Sequence, residues 1–465
     1  MFEALSQRAI IGSAALLLSP LPFNLYSQSP SQESPEKTFQ DAMAAEDRGD
    51  LTTAESLLRG LQAKQPGIFA IDESLGLLYI KQENFESALP LLKAAAAEQP
   101  DSDAAHANLG AVLYRLQRNT EALAEFQAAA RLNPQNADTE ESLGRLLMEQ
   151  HHASQAADVF AAAIKLQPDN ADLILDRAQA LIEADRPAQA AAELKAIPGV
   201  EQSASAQLLL GDAEEKLRSY KAAAEHYARA VELDPSEPNV WALGVEFLRH
   251  WTFDPAIKEF EAAAAKFPNS TRIKLGLGAA YFGDAKYAES IPVFADLLDQ
   301  DRNNALYAEL LGMACTSVAE SNKERCTALI QFAQAHPGDA RISTYAASML
   351  LTETSGNDQT ELAQKLLTSA LAVDPAFAEA HYQMGLLKQN RGDWAGSVPS
   401  LEKAISLKPD LAPAHYRLAL AYWRTGRKQE GQAEMELQKK YSKQGKEDMD
   451  RRLRQITTFI VEVRQ

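Results

Sequence analysis

Small and bulky apolar residues recur along this chain at a nearly constant interval. Prolines close successive, equally long intervals at Pro66, Pro100, Pro134 and Pro168. Small residues run in phase with them, evenly spaced to within one residue except for a longer last-but-one step: Ala42, Gly76, Gly110, Gly144, Ala178, Gly211, Gly244, Gly278, Gly312, Ala347, Gly385 and Ala419. Sixteen positions after these comes a bulky apolar series: Leu58, Leu92, Phe126, Phe160, Leu194, Tyr227 and Phe260. This period, about 34 residues, predicts a repeat protein.

Each interval predicts a pair of antiparallel helices, because residues three and four apart share one helix face and a break separates two such stripes. In the interval from Ala104 to Pro134, Leu109 and Gly110 line the first helix and Phe126 lines the second. A glycine inside a helix costs about 1 kcal/mol relative to alanine. Its recurrence therefore indicates that the partner helix approaches closely.

These residues resemble the tetratricopeptide repeat family from about Lys37 to Tyr441. The interval Ala378 to Pro409 carries the family's residues in order: His381, Tyr382, Met384, Gly385, Gly392, Asp393, Trp394, Leu401, Ala404 and Pro409. The resemblance implies an all-α solenoid of about twelve antiparallel helical hairpins, stacked in a right-handed superhelix with the first helices on the concave side. Three departures occur: Arg302 replaces a closing proline, the unit ending at Pro198 is short, and Thr352 to Asp358 inserts a polar loop.

The two ends of the chain differ from the repeats. We assign residues 37–442 to the solenoid and 443–465 to a C-terminal capping helix, with an apolar stripe at Met449, Leu453, Ile456, Ile460 and Val463. The segment from Lys439 to Gln465 has a net charge of +4, from eight basic and four acidic residues. It either complements acidic neighbours or forms a patch for membrane docking or self-association.

The first residues resemble a secretory signal. Arg8 precedes an apolar stretch, Ala9 to Leu18, which is too short to span a bilayer. We predict a signal peptide over 1–27, a flexible linker over 28–36, and export to the periplasm of a bacterium or secretion. Two alternatives stay open: an uncleaved N-terminal anchor, which alone would bring membrane contact, and a cytoplasmic protein if the segment is no signal. The mass of the natural N-terminus distinguishes a cleaved from an uncleaved segment.

Composition narrows the class of partner. The formal net charge is −18 at pH 7, whereas nucleic-acid binding requires clustered Lys and Arg. We therefore predict no nucleic-acid partner, and an acidic surface that keeps the solenoid soluble.

The sequence offers no evident catalytic, metal or cofactor site. It contains no His-Glu-x-x-His or Cys-x-x-Cys motif, and its glycines occur singly inside predicted helices instead of in phosphate-binding loops. His106, His381 and His415 occupy one repeat position, where packing is the simpler role. His151 and His152 fall in a predicted turn. We predict a protein that is not an enzyme and has no cofactor.

The family resemblance implies that partners bind the concave residues of the first helices. It places one apolar stretch at Trp241, Val245, Leu248, Leu275 and Phe282, a second at Tyr382, Leu386, Tyr416, Leu420 and Trp423, and a polar stretch at Tyr114, Arg115, Glu141 and Arg145. The Lys and Asn residues of the family's carboxylate clamp are replaced by Ala107, Ala111, Trp241 and Val245, so capture of a chaperone tail is not expected. The alternative is that these aromatic residues only pack between hairpins.

The two cysteines lie on either side of a predicted turn near Glu320 to Asn322. Cys315 is five residues before that segment and Cys326 four after it, so antiparallel helices bring them to similar heights. If the protein is exported, they either form a disulfide or remain two buried free thiols; in the cytosol, which keeps thiols reduced, they remain free thiols.

The leading prediction is a non-enzymatic scaffold that binds peptide or protein partners in its concave groove. One alternative is a membrane-anchored assembly factor, and the other is an accessory repeat subunit of an envelope enzyme complex.

Overall fold

The computed structural model describes residues 34–318, 323–351 and 357–443. The predicted signal peptide and the stripe of the predicted capping helix lie outside these ranges. Every regular element within them is helical, which confirms the all-α fold class. The described residues divide into two compact units: unit 1 extends to Ser219, and unit 2 begins at Tyr220.

The helices of unit 1 begin with α1, and one 3-10 turn, Val200–Gln202, precedes the last of them. They are α1 Pro35–Asp47, α2 Leu51–Lys64, α3 Phe69–Lys81, α4 Phe85–Glu98, α5 Asp103–Arg115, α6 Asn119–Leu132, α7 Ala137–Glu149, α8 Ala153–Leu166, α9 Ala171–Glu183, α10 Pro187–Lys195 and α11 Ala204–Lys216.

The helices of unit 2 continue the same alternation of first and second helices. They are α12 Tyr220–Leu233, α13 Glu237–Arg249, α14 Phe253–Lys266, α15 Thr271–Gly283, α16 Tyr287–Gln300, α17 Ala305–Ser317, α18 Lys323–Ala335, α19 Ala340–Leu350, α20 Asn357–Val373, α21 Ala378–Asn390, α22 Trp394–Leu407 and α23 Ala412–Arg424. Residues 428–443 form a further helix, α24.

The first helix begins inside the segment predicted as a linker. The Ser34 hydroxyl accepts a hydrogen bond from the Lys37 backbone N–H at 3.2 Å, and Pro35 occupies the first turn, where its missing N–H costs nothing. The predicted linker 28–36 is therefore too long by two residues at its C-terminal end.

Close packing within the hairpin explains most of the recurring glycines. Helix α7 packs on α8, and α21 packs on α22. A Cβ atom added to Gly144 would lie 2.6 Å from the Phe160 ring, and one added to Gly385 would lie 2.6 Å from Leu401. Both bulky side chains are fully buried. The small residue of the first helix thus makes room for the bulky residue sixteen positions later.

In each hairpin whose turn lies within the described residues, the turn carries one residue in the left-handed conformation. Glycine occupies this position at Gly49, Gly392 and Gly426, with φ between 78° and 83°. Other residues occupy it at φ between 57° and 62°: Glu83, Gln117, His151, Asp185, Arg218, Trp251 and Ala285. A left-handed conformation costs a residue with a Cβ about 1 kcal/mol or more. Replacing such a turn residue by glycine should therefore increase the free energy of unfolding.

We expect Ala285→Gly to stabilise unit 2 by about 1 kcal/mol, because glycine accepts φ of 58° without the clash of a Cβ atom. Thermal unfolding of the purified variant measures the gain. The matched control is Ala279→Gly within α15, which should lose about as much through helix propensity. A loss of stability in both variants would contradict a strained turn.

The three predicted departures from the repeat have different outcomes. The short unit contains α10, a helix of 9 residues, followed by Gly199 at φ 74°. At the missing proline, the Asn304 side chain caps α17 by accepting a hydrogen bond from the Tyr307 N–H. The predicted polar loop, 352–358, is too long, because α20 begins at Asn357.

A disulfide joins the hairpin of α17 and α18. Cys315 and Cys326 are bonded, their Cα atoms lie 6.1 Å apart, and both side chains are buried. Cys315 lies on the same face of α17 as Gly312, and Cys326 precedes the buried Leu329 by three positions. The bond therefore lies within the apolar core of unit 2.

Candidate peptide-binding surface

Five apolar side chains form a strip on two neighbouring first helices of unit 2, which we call the first-helix wall. Trp241, Val245 and Leu248 are spaced four and three residues apart on α13, and Leu275 and Phe282 lie two turns apart on α15. All five are half-buried. Because α13 packs directly on α15, the strip continues from one helix to the next.

A different face of α13 packs into the core of unit 2. Val240, Leu243 and Phe247 are its buried apolar residues, and they precede or follow the wall residues by one or two positions. A helix with apolar residues on more than its core-facing stripe has apolar area left for a partner.

Neighbouring groups hold the two aromatic rings of the wall. The Trp241 ring packs on Phe260, with 5.9 Å between ring centroids, and the Arg272 guanidinium lies 5.4 Å from the Trp241 centroid. The Phe282 ring meets Tyr287 edge-on at 5.1 Å. Leu275 and Phe282 also touch the apolar core of unit 2. Fixed rings lose little entropy when a ligand packs on them.

Register identifies two further apolar residues that the sequence reasoning missed. Leu306 is 52% exposed, and Met313 is half-buried on the same helix, α17. Met313 follows the wall residue Val245 by two repeat periods, so the period alone could have identified it, whereas Leu306 follows Arg272, which contacts Trp241, by one period. A flexible Met beside an exposed Leu suits an adaptable binding surface.

The second predicted stretch has a different environment from the first-helix wall. Tyr382 packs on a small apolar cluster that includes Leu401 and Leu418, whereas Tyr416 is 43% exposed and Trp423 38% exposed. Leu386 and Leu420 are half-buried. The exposed members thus belong to α23, the last first helix that the structure describes.

Family models match most of this helical array. Tetratricopeptide repeat models match residues 73–137, 147–213, 204–247, 252–314 and 412–444, and a TPR repeat model matches residues 390–426. The chain belongs to the tetratricopeptide repeat family. This TPR array is of the class that serves protein–protein interaction.

Several solved structures are similar to this TPR protein. The Naa15/Naa10 complex bound to HypK-THB is 15% identical, with 87% of this chain and 68% of that chain covered at a TM-score of 0.38. A tetratricopeptide repeat protein from Parabacteroides merdae is 17% identical, with 60% of this chain and 98% of that chain covered at a TM-score of 0.38. YrrB, described as a TPR protein with an unusual peptide-binding site, is 17% identical, with 41% of this chain and 97% of that chain covered at a TM-score of 0.38. No curated protein matches the chain.

The side chains of the predicted polar stretch in unit 1 contact neighbouring side chains of the same unit. The Arg145 guanidinium contacts Glu141 at 2.8 Å and Asp176 of the next first helix at 2.9 Å. Burial raises the pKa of Asp176, and the Arg145 charge opposes that shift. Tyr114 donates a hydrogen bond to Glu149; burial, and then this bond, raises the pKa of Tyr114 to about 12. Arg115 lies 4.8 Å from the Phe85 ring centroid.

The three histidines at one repeat position are structural in this TPR array. Nε2 of each ring lies 2.8 to 3.1 Å from the carbonyl oxygen of the proline six positions earlier: His106 with Pro100, His381 with Pro375 and His415 with Pro409. Nδ1 of His106 contacts Glu125 at 2.6 Å, and Nδ1 of His415 contacts Glu434 at 2.5 Å. These rings therefore fasten a hairpin to the end of the preceding one.

The turn histidines lie where the sequence predicts them. His151 has φ of 60°, and both His151 and His152 are exposed between α7 and α8. Among the described helices, none combines the length and apolarity needed to cross a membrane.

Proposed function

We propose that this TPR protein is an exported scaffold, without enzymatic activity, that holds apolar peptide segments of other proteins on the first-helix wall. The observation that carries the proposal is the strip of five half-buried apolar residues across α13 and α15, with Trp241 and Phe282 fixed by their neighbours. Aromatic anchors in such positions usually dominate the binding energy of an interface.

The chemistry of the wall favours an apolar ligand with a polar rim. Arg272 packs over Trp241 and contacts Glu237, with 3.5 Å between its Nε and the carboxylate. The Ser270 hydroxyl donates to the same carboxylate at 2.9 Å. Charges surround the anchor while the anchor itself stays apolar, as in the core and rim of protein interfaces.

Export is supported by the disulfide and by the apolar N-terminal stretch of the sequence. A structural disulfide persists in oxidising compartments, whereas the cytosol keeps thiols reduced. Cys315 and Cys326 are bonded and buried, which favours the periplasm or the exterior as the compartment of the folded protein.

We expect the double variant Trp241→Ala, Phe282→Ala to lose about tenfold or more in affinity for apolar peptides, because truncation removes both aromatic anchors. Peptides are first selected from a random library on the full chain, and their dissociation constants are then measured for both proteins by fluorescence anisotropy. Circular dichroism verifies that the variant remains folded.

The matched control removes two exposed apolar side chains from second helices, Leu132→Ala and Val373→Ala. Affinity should be unchanged in this control. If the Trp241, Phe282 variant also binds at wild-type affinity, the first-helix wall serves only packing between hairpins.

A further inference from the structure

A small cavity lies between the first three helices of unit 1. Its volume is about 160 Å³, and it is lined by the start of α1, the end of α2 and the start of α3. Phe39, Leu61 and Ile71 give it apolar walls, and Glu36 is the charged member of its lining. Such a space favours a guest side chain that is apolar along its length and cationic at its end.

The equivalent place in a later repeat is filled by an arginine of the chain itself. Six periods after Phe39 the chain has Trp241, and six periods after Ala70 it has Arg272. The Arg272 guanidinium lies 5.4 Å from the Trp241 ring centroid, and its Nε lies 3.5 Å from the Glu237 carboxylate. In unit 1, the small side chain of Ala70 leaves the corresponding space open.

An acidic residue stands beside the filled place and beside the open one. The partial positive charge of a helix N-terminus disfavours a cation, and both α1 and α3 begin at the cavity. In unit 2, Glu237 in the first turn of α13 offsets this charge for Arg272. In unit 1, Glu36 lies in the first turn of α1 and is half-buried. The cavity is therefore equipped for a guanidinium, as the filled place is.

We propose that this cavity binds an arginine side chain of a partner protein. The aliphatic stem packs against Leu61 and Ile71, and the guanidinium lies on the Phe39 ring and donates to Glu36. Arginine suits the site better than lysine, because its planar guanidinium both stacks on a ring and donates in a fixed fork. The formal net charge of −18 attracts basic partners from a distance.

The cavity is a second binding site, distinct from the first-helix wall. It belongs to unit 1, and none of its lining residues is a residue of the wall. The wall takes apolar side chains, whereas the cavity takes a cationic one. The two sites can therefore be tested independently.

Saturation-transfer NMR with a small probe tests the proposal. The probe is the blocked tripeptide alanyl-arginyl-alanine, and its dissociation constant is measured with the full chain. We expect the full chain to bind it and Ala70→Arg to bind it about tenfold or more weakly, because the new side chain clashes with the guest. Circular dichroism verifies that each variant is folded.

The matched control is Ala104→Arg. Ala104 follows Ala70 by one period and is exposed, so this variant adds the same charge to unit 1 without filling the cavity. It should bind the probe as the full chain does. Equal weakening in both variants would attribute binding to net charge and overturn the proposal. Unweakened binding by Ala70→Arg would overturn it as well.

A further variant and a second probe keep the test valid if Ala70→Arg does not fold. Glu36→Gln should weaken binding of the arginine probe by about threefold or more, without changing the affinity for a probe in which neutral norleucine replaces arginine. If the full chain binds the norleucine probe as tightly as the arginine probe, the cavity is an apolar pocket and the proposal is wrong. A full chain that binds neither probe would also contradict it.

Discussion

Gly144→Val should destabilise unit 1 by about 3 kcal/mol, because overpacking at a fully enclosed site forces side chains and backbone apart. A Cβ atom at position 144 would lie 2.6 Å from the Phe160 ring, and the added methyl groups would worsen the clash. Urea denaturation followed by circular dichroism measures the loss.

Two comparisons identify the cause of that loss. Gly60 lies inside α2 with nothing within 4 Å of a built Cβ atom, so Gly60→Ala should stabilise unit 1 by about 1 kcal/mol through helix propensity alone. In a Phe160→Ala background, Gly144→Val should cost much less, because the clashing ring is gone. An equal cost in both backgrounds would mean that the glycine is needed for some other reason.

Replacing both cysteines, by Cys315→Ala and Cys326→Ala, should cost unit 2 up to about 3 kcal/mol. The bond closes a loop between residues 11 apart, and closing a loop of this size restricts the unfolded chain by roughly that free energy. The paired measurement is wild-type protein with reductant added during denaturation, which should match the variant.

Thiol titration of unreduced, denatured protein from an oxidising compartment tests the bond directly. No reactive thiol is expected. Two reactive thiols would contradict the disulfide and weaken the case for export, and a variant whose melting is unaffected by the loss of both cysteines would show that the loop is constrained by packing instead.

The hairpins could be predicted from the sequence because the small and bulky residues that define the period are also the residues that pack against each other within a hairpin. Gly144 and Phe160 are sixteen positions apart in a fixed register, so their contact could be anticipated from spacing alone. The same register located the histidines at the repeat junctions. It could not show that His106 contacts both the Pro100 carbonyl and Glu125. The direction of the His106 ring depends on how closely α5, α6 and the connection after α4 pack together, and the period does not give that distance.

The candidate site was predictable only in part. The period assigned Trp241 and Phe282 to first helices, but the supporting rings and the Arg272 contact depend on side-chain conformation. The period places Trp423 at the C-terminal end of a first helix, as it places Leu248, yet Trp423 is exposed and Leu248 is half-buried. The two residues differ in which helix follows their own along the chain, and the repeat position of a residue does not contain that information.

The bonds between neighbouring first helices also determine when each part of the chain can fold. Asn108 donates to Glu73 across 35 residues, and Arg145 donates to Asp176 across 31. Partners this near in sequence emerge from the ribosome within seconds of each other at about 5–20 residues per second. A hairpin can thus dock on its predecessor while the rest of the chain is still being synthesised, so unit 1 can assemble from its N-terminal end in the order of its sequence.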